Sequence, residues 1–286
     1  MKDAFYLTLS CANRPGIVAA VAACLFESGG NILEAQQFDD LATNRFFMRV
    51  AFDVDTGSAN EAELRERFNP VGGRYAMQWK LRSRERRQRV LILVSKDDHC
   101  LGDLLYRLRI GEMPMEVVGI VSNHPRETLN RSLLGDIPYH HLPVTAATKP
   151  QQEGQIKRIV EETKAELIVL ARYMQILSDD LAAYFSGRCI NIHHSFLPGF
   201  KGAKPYTQAF ERGVKMIGAT AHYVTADLDE GPIIVQDTEP VSHTDTPETL
   251  ARKGRDIERR VLARAVLYHL DDRILVNGSR TVVFRD

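Results

Sequence analysis

The chain has 286 residues, of which 44% are hydrophobic and 26% are charged, which is enough for one large or two modest domains with their own cores. Its 37 basic and 37 acidic residues cancel, so composition indicates neither nucleic-acid nor membrane binding and favours a small-molecule partner. Scattered cysteines, no secretion signal and no apolar run long enough to cross a bilayer predict a cytoplasmic protein with reduced thiols.

Residues 1–83 predict a small, complete α/β domain. The pattern of apolar residues and turn signals gives the order β-α-β-β-α-β, which is typical of ferredoxin-like folds. The predicted strands cover 4–10, 32–41, 45–54 and 74–81, and the predicted helices cover 15–28 and 58–68.

The turn after the first strand is the most distinctive feature of this domain. It contains Asn13, Arg14, Pro15, Gly16 and Ile17. Pro15 favours the start of a helix whose free backbone N–H groups face an anion. The segment resembles the loop of ACT domains, which are regulatory modules. The resemblance implies a possible amino-acid effector at this loop and a homo-oligomer, although an ordinary turn and a purely assembling domain stay open.

A short basic segment, residues 84–89, follows the first domain. It has no interleaved aromatic residues, so a solvated linker is favoured over a nucleic-acid patch. From residue 90 to residue 286 the sequence predicts a second, larger domain.

Strands and helices alternate in this second part of the chain. That rhythm predicts a Rossmann-like, mostly parallel, doubly wound sheet with its site at the carboxyl ends of the strands. No glycine-rich nucleotide motif is present, so the fold need not bind a nucleotide. The predicted strands are 90–94, 116–122, 139–142, 167–170, one ending at 193, 217–224 and 233–236, with helices at 101–110, 127–134, 151–164, 178–185 and 247–270.

Asn191 and His193 lie two residues apart at the end of an apolar run. In a strand, such residues share a face, so both side chains point into one pocket. An amide donor beside a group that titrates near neutrality suits acyl chemistry. The other interpretation is a strand and a Pro-Gly turn with a structural histidine. The acidic loop 225–232 favours the first interpretation, because it can bring Asp229 beside His193.

Three separated segments resemble the formyl-transfer domain that handles 10-formyltetrahydrofolate: residues 191–193, 195–198 and 222–232. The resemblance implies that Asn191, His193 and Asp229 form the catalytic set.

The segment 170–177 also resembles that family, in which it lines the pterin pocket. The resemblance implies folate contacts by Met174, Ile176 and Leu177, and by the loop residues Thr225, Ala226, Asp227 and Leu228. Taken alone, the stretch 170–177 reads as ordinary core packing after a strand.

Metal-assisted hydrolysis is not predicted. His193 and His194 are adjacent, but neighbouring residues of a strand face opposite ways, and no recognisable spacing supplies a third ligand. A structural role for His194 is favoured. No metal and no cofactor are expected, because the folate is the substrate.

The loop 94–102 bears on which molecule accepts the formyl group. In glycinamide ribonucleotide formyltransferases, which this half resembles, the corresponding glycine-rich loop binds the substrate phosphate. Asp97 and Asp98 stand there instead, and carboxylates oppose a phosphate, although Lys96 or His99 can partly offset this. A phosphorylated amine is therefore disfavoured, and water becomes the natural acceptor.

Over essentially the whole chain, the combination of an ACT-like and a formyl-transfer domain resembles the formyltetrahydrofolate deformylase family. The resemblance implies hydrolysis of 10-formyltetrahydrofolate to tetrahydrofolate and formate, which supplies formate for purine synthesis and balances one-carbon folates. Two alternatives stay open: a folate-dependent formyltransferase to a small amine, and a non-catalytic amino-acid sensor.

Overall fold

The computed structural model describes residues 2–129, 134–199 and 205–285, which form two compact units. The first unit comprises Met1–Arg87, Asp271–Asn277 and Val282–Asp286. The second comprises Gln88–Leu270 and Gly278–Thr281.

The first unit is built on a four-stranded antiparallel sheet. Its strands are β1 (Lys2–Ala12), β2 (Asn31–Asp40), β3 (Arg45–Asp55) and β4 (Gln78–Ser83), in the order β2-β3-β1-β4. Two helices, Ile17–Glu27 and Glu61–Arg74, follow β1 and β3. The ferredoxin-like order predicted from the sequence is confirmed.

The second helix of this unit differs from its prediction at both ends. It begins at Glu61 instead of residue 58, because Asn60 and Glu63 form a capping box that sets the first turn. It continues past residue 68 to Arg74 although Pro70 lies inside it. Proline disfavours a helix interior, and burial of Phe68 and Gly72 in the core offsets this cost.

Most of the C-terminal residues belong to a different unit from the one that the sequence predicts. The sequence-based division put everything after residue 90 in the second domain, whereas Asp271–Asn277 and Val282–Asp286 group with the first unit. Long-range ion pairs explain the difference, because Asp272 contacts Lys80 at 2.8 Å and Arg82 at 2.7 Å. Two short strands, Ile274–Asn277 and Arg280–Val283, pair in this region.

The second unit is built on a seven-stranded sheet in the order β11-β10-β9-β8-β5-β6-β7. Strands β5 to β9 are parallel, and β10 and β11 run antiparallel to their neighbours, so the predicted mostly parallel sheet is confirmed. The strands are β5 (Gln88–Val94), β6 (Met115–Ser122), β7 (Tyr139–His141), β8 (Leu167–Leu170), β9 (Cys189–His193), β10 (Met216–Tyr223) and β11 (Ile233–Pro240).

Helices connect most of these strands. Near the predicted helix 127–134 the structure has a 3-10 turn, Arg126–Thr128, and residues 130–133 lie outside the described part of the chain. The helices of the unit are His99–Arg109, Lys149–Thr163, Asp179–Tyr184, Pro205–Arg212 and Pro247–Leu270.

The strand order of this sheet reverses at β5. From β5 the chain adds β6 and β7 on one side, then crosses over to add β8 and β9 on the other side. The carboxyl ends of β5 and β8 therefore border a topological switch point, the usual place for a ligand in open α/β sheets. None of the helices in the three described ranges is long and apolar enough to cross a membrane.

Candidate active site

Strand β9 positions the first two functional side chains. It pairs with β8 on one side and β10 on the other, which fixes its last residues at the carboxyl edge of the sheet. Asn191 and His193 share one face of β9, as their spacing predicts. His193 is only 7% exposed, so its ring is held by its surroundings.

The loop after β10 brings Asp229 to His193. Nδ1 of His193 lies 3.2 Å from Oδ2 of Asp229. Asp229 has a φ of 58°, in the left-handed region that few non-glycine residues adopt, and this turn of the backbone helps to aim its carboxylate. The predicted approach of the acidic loop to His193 is therefore present in the structure.

Gly231 allows this loop to pass close to β10. A Cβ atom at this position would lie 1.8 Å from the carbonyl oxygen of Tyr223. Tyr223 also donates its backbone N–H to the carbonyl of Pro232 at 3.0 Å. The close approach of two backbones requires glycine here.

The charge state of Asp229 follows from its neighbours. Burial alone would raise the pKa of this carboxyl group, but hydrogen bonding and charge from His193 and His222 outweigh burial and hold the pKa well below its ordinary value. Asp229 is therefore an ionised carboxylate near neutral pH.

His222 belongs to this site, although sequence reasoning did not place it among the functional residues. Its Nε2 lies 3.2 Å from Nδ2 of Asn191 and 3.7 Å from Oδ1 of Asp229. Nδ1 of His222 donates to the carbonyl oxygen of Tyr223 at 2.9 Å. When Nε2 carries no proton, it can accept a hydrogen bond from the Asn191 amide. The pairing of β9 with β10 would have identified His222, because it stands opposite Asn191 in the register of these strands.

These groups open into a cavity of about 270 Å³. The exposed apolar side chains of Met174, Ile176 and Leu228 form much of its wall. All the residues predicted for catalysis or folate binding line this cavity: Met174, Ile176, Leu177, Asn191, His193, Thr225, Ala226, Asp227, Leu228 and Asp229.

A charged cluster that the sequence did not reveal adjoins the cavity at Arg172. Nη2 of Arg172 donates to Asp97 at 3.2 Å, Nη1 contacts Nδ1 of His194, and Nε lies 3.4 Å from Oε2 of Glu258. Glu258 is 1% exposed and accepts hydrogen bonds from His99 at 2.8 Å and from the Tyr206 hydroxyl at 2.5 Å. Asp97 and His99, which the sequence places in the loop that corresponds to a phosphate-binding loop, contact Arg172 and Glu258 respectively.

One group in the described residues has the donor atoms of a metal site. Ligand atoms of His99, Cys100 and Glu258 lie within 4.8 Å of one another. The surroundings do not suit a cation, because the Arg172 guanidinium lies against Glu258. Burial, reinforced by Glu258, also raises the pKa of Cys100 well above its ordinary value, which keeps the thiol protonated.

The predicted effector loop lies in the first unit. Its helix begins at Ile17, later than predicted, because Gly16 occupies the cap position with a φ of 89°. Arg14 contacts the carbonyl of Arg74 and stacks on Tyr75 at 4.5 Å. Asn13 donates to Asp39 at 2.7 Å, and Pro15 precedes the helix. Effector binding at this loop stays a prediction.

Comparison with known proteins agrees with this geometry. A family model described as formyl transferase matches residues 88–266. A formyltetrahydrofolate deformylase of Corynebacterium sp. (strain P-1) is 50% identical over 98% of this chain and 97% of its own. The chain belongs to the formyltetrahydrofolate deformylase family. A Bacillus subtilis (strain 168) deformylase is 46% identical over 99% of this chain and 94% of its own.

Solved structures of this family share the fold over the whole chain. The crystal structure of a formyltetrahydrofolate deformylase from Burkholderia mallei superposes with a TM-score of 0.93 at 50% identity, covering 99% of this chain and all (100%) of that one. A glycinamide ribonucleotide transformylase from Symbiobacterium toebii covers 70% of this chain and 95% of its own, with a TM-score of 0.64 and 30% identity. The deformylase resemblance seen in the sequence is confirmed.

Proposed function

We propose that this chain hydrolyses 10-formyltetrahydrofolate to tetrahydrofolate and formate. The observation that carries the proposal is the contact of His193 with Asp229 in a cavity that also presents Asn191 and an apolar wall. Relatives named formyltetrahydrofolate deformylase align with nearly the whole chain, including the N-terminal unit, and this supports a deformylase over a transferase.

The proposed base is Nε2 of His193. Because Asp229 is an ionised acceptor, the Nδ1 that faces it carries the ring proton, which leaves a lone pair on Nε2. Nε2 is buried and has no hydrogen-bond partner among the described residues. A buried polar atom needs a partner, so a water or a substrate atom is expected there.

In the first step of the proposed reaction, His193 takes a proton from water while the water oxygen attacks the formyl carbon. The imidazolium that forms is stabilised by Asp229. The formyl oxygen becomes an oxyanion, and Asn191 donates one amide N–H to it while His222 accepts the other. The imidazolium at His193 adds further electrostatic stabilisation.

In the second step the tetrahedral intermediate breaks its bond between the formyl carbon and N10. The imidazolium of His193 returns its proton to N10, which leaves as tetrahydrofolate. The other product is formic acid, which releases its O–H proton to solvent and becomes formate. One water is consumed, and His193 ends in its starting state.

The pterin is proposed to lie against the cavity wall. Met174, Ile176 and Leu228 are each more than half exposed, at 54%, 62% and 55%, and all three line one cavity. Together they offer an apolar surface on which the flat face of an aromatic ring system can pack. The backbone of Thr225, Ala226 and Asp227 is proposed to bind the polar edge of the pterin.

The test is incubation of the purified protein with 10-formyltetrahydrofolate and no amine, with formate measured by a coupled assay. Stoichiometric formate that is lost in His193→Ala is expected. Folate binding without formate would contradict the proposal and would point to a transferase that lacks its amine acceptor.

For the N-terminal unit we infer regulation or assembly, because its ferredoxin-like sheet fits an ACT domain. If an amino acid binds near Asn13 and Arg14 and regulates the enzyme, its addition should change kcat or KM. A homo-oligomer would be seen by light scattering, and a monomer would contradict this part of the proposal.

A further inference from the structure

The switch point between β5 and β8 is closed by contacts of the chain itself. The backbone N–H of Ser95, just after β5, donates to the carbonyl of Arg172, just after β8, at 3.1 Å. The backbone N–H of Met174 donates to Oγ of Ser95 at 3.0 Å. A crevice that usually receives a ligand in such sheets is therefore held together by protein groups.

The side chain of Arg172 completes this closure. It is only 12% exposed, and it reaches Asp97 on the β5 side while it also lies against Glu258 of the last helix. Arg172 itself has a φ of 65°, so the backbone is turned sharply where the side chain enters the crevice. Two separate elements thus hold one guanidinium group in place.

The Arg172 guanidinium stays positively charged although it is buried. Burial would lower the pKa of Arg172, but Glu258 and Asp97 outweigh burial and raise it. A permanently charged, buried guanidinium with two carboxylate neighbours is hard to displace, because any ligand that moved it would leave a buried charge unpaired.

This closed crevice borders the catalytic groups. Arg172 and His194 line the same cavity as His193. The His194 ring stacks on the His193 ring with centroids 5.2 Å apart, and Arg172 contacts His194. A formyl acceptor larger than water that approached from the switch point would meet Arg172 before it reached the formyl carbon.

We propose that Arg172, held by Asp97 and Glu258, determines acceptor specificity by filling the switch-point crevice, so that water but not an amine reaches the formyl group. The inference rests on the proposed function. In an opened crevice, the nitrogen of a primary amine attacks the formyl carbon, the bond from that carbon to N10 breaks, and one amine proton passes to N10. The products are then an N-formyl amine and tetrahydrofolate.

The experiment uses full-length protein, 10-formyltetrahydrofolate with a ¹³C-formyl group, and glycinamide as the amine probe. The ratio of N-formylglycinamide to formate is measured by ¹³C NMR. Wild type should give formate with no N-formylglycinamide above the enzyme-free background. Arg172→Ser should raise the ratio at least about tenfold above that background, and adding His193→Ala should remove both products.

Two further variants keep the test decisive. Asp97→Ala removes a carboxylate whose side chain is 56% exposed, so it should fold even if Arg172→Ser does not, and it should also raise the ratio. Arg107→Ser is the matched control, because Arg107 pairs with Asp103 and Glu112 on the same unit away from the cavity lining, and it should leave the ratio at background.

The outcomes separate this inference from the proposed function. If wild type produces no formate, the proposed hydrolysis fails. If wild type and the folded variants all produce formate with the ratio at background, the hydrolysis stands and the role of Arg172 is overturned. The ratio of products is not changed by a loss of stability alone.

Discussion

Nδ1 of His193 lies 3.2 Å from Oδ2 of Asp229, and this contact sets the chemistry of both groups. In the proposed reaction it keeps the ring proton of His193 on Nδ1 and leaves Nε2 to act as the base. It also contributes to the lowered pKa of Asp229. In the proposed reaction the carboxylate therefore orients and stabilises the histidine and exchanges no proton with the substrate.

Asp229→Asn should lower kcat by about 10²- to 10⁴-fold with a small change in KM. Because the pKa of Asp229 is lowered, its carboxylate stays ionised from about pH 5 to pH 9. The loss should therefore appear across that whole range. Formate production measured against pH checks this, and a variant that differs from wild type only below neutrality would show that Asp229 titrates in the reaction.

Asn191→Ala should lower kcat by about 10²- to 10³-fold, since it removes a donor to the oxyanion. His222→Ala should lower kcat by a smaller factor, about tenfold to 100-fold, because His222 acts through Asn191 and Asp229 and does not contact the formyl group in the proposed reaction. Both variants should keep KM near the wild-type value. Steady-state kinetics of the two variants, measured side by side, show which variant loses more kcat. An equal loss of kcat in both would mean that His222 takes part directly in the reaction.

Gly231→Ala should lower kcat by about 100-fold, because a Cβ at this position would lie 1.8 Å from the Tyr223 carbonyl and the loop that carries Asp229 must move. Gly154→Ala is the matched control. Gly154 lies in the helix Lys149–Thr163, nothing lies within 4 Å of its added Cβ, and alanine favours the helix. Full activity in Gly231→Ala would show that the loop position is not critical.

Much of this site could be read from the sequence because it depends on local patterns. The period of two in a strand places Asn191 and His193 on one face, and the acidic loop is short enough to return to them. His222 needed the β9–β10 register, which is a long-range property.

The charged clusters could not be read from the sequence for the same reason. Arg172, Asp97 and Glu258 come from three separate elements. Asp272 joins the first unit through Lys80 and Arg82, and nothing near Asp272 in the sequence indicates these partners. Helix ends were also missed where a particular cap decides them, as at Gly16 and Asn60.

Activity should be unchanged by a strong chelator such as EDTA. The proposed steps use protein side chains and water and need no metal ion. The charge of Arg172 also opposes a cation at the group formed by His99, Cys100 and Glu258. Formate production is compared before and after dialysis against the chelator. Loss of activity that added zinc restores would contradict the proposed metal-free mechanism.

Asp272→Asn should lower the stability of the first unit by about 1 to 3 kcal/mol at neutral pH, because it removes a buried charge that binds Lys80 and Arg82. Burial would raise the pKa of Asp272, but these two cations outweigh it and lower the pKa. A carboxyl group whose pKa is lower in the folded state stabilises the fold fully at any pH above its unfolded-state pKa, which is about 4. This contribution disappears as the pH falls through the folded-state pKa. The difference between wild type and variant should therefore be full at neutral pH and should shrink in acid.

Trp79 makes this measurement specific. It is the single tryptophan of the chain, it lies in β4, and its ring packs against Phe68 at 4.8 Å, so its fluorescence reports unfolding of the first unit. Asp53→Asn is the control, because Asp53 pairs with the half-exposed Lys2 and such surface pairs contribute about 1 kcal/mol or less. Urea unfolding curves at several pH values should separate the two variants at neutral pH and bring them together in acid. A gap for Asp272→Asn that stays constant with pH would mean that its ion pairs do not account for the stability of this segment.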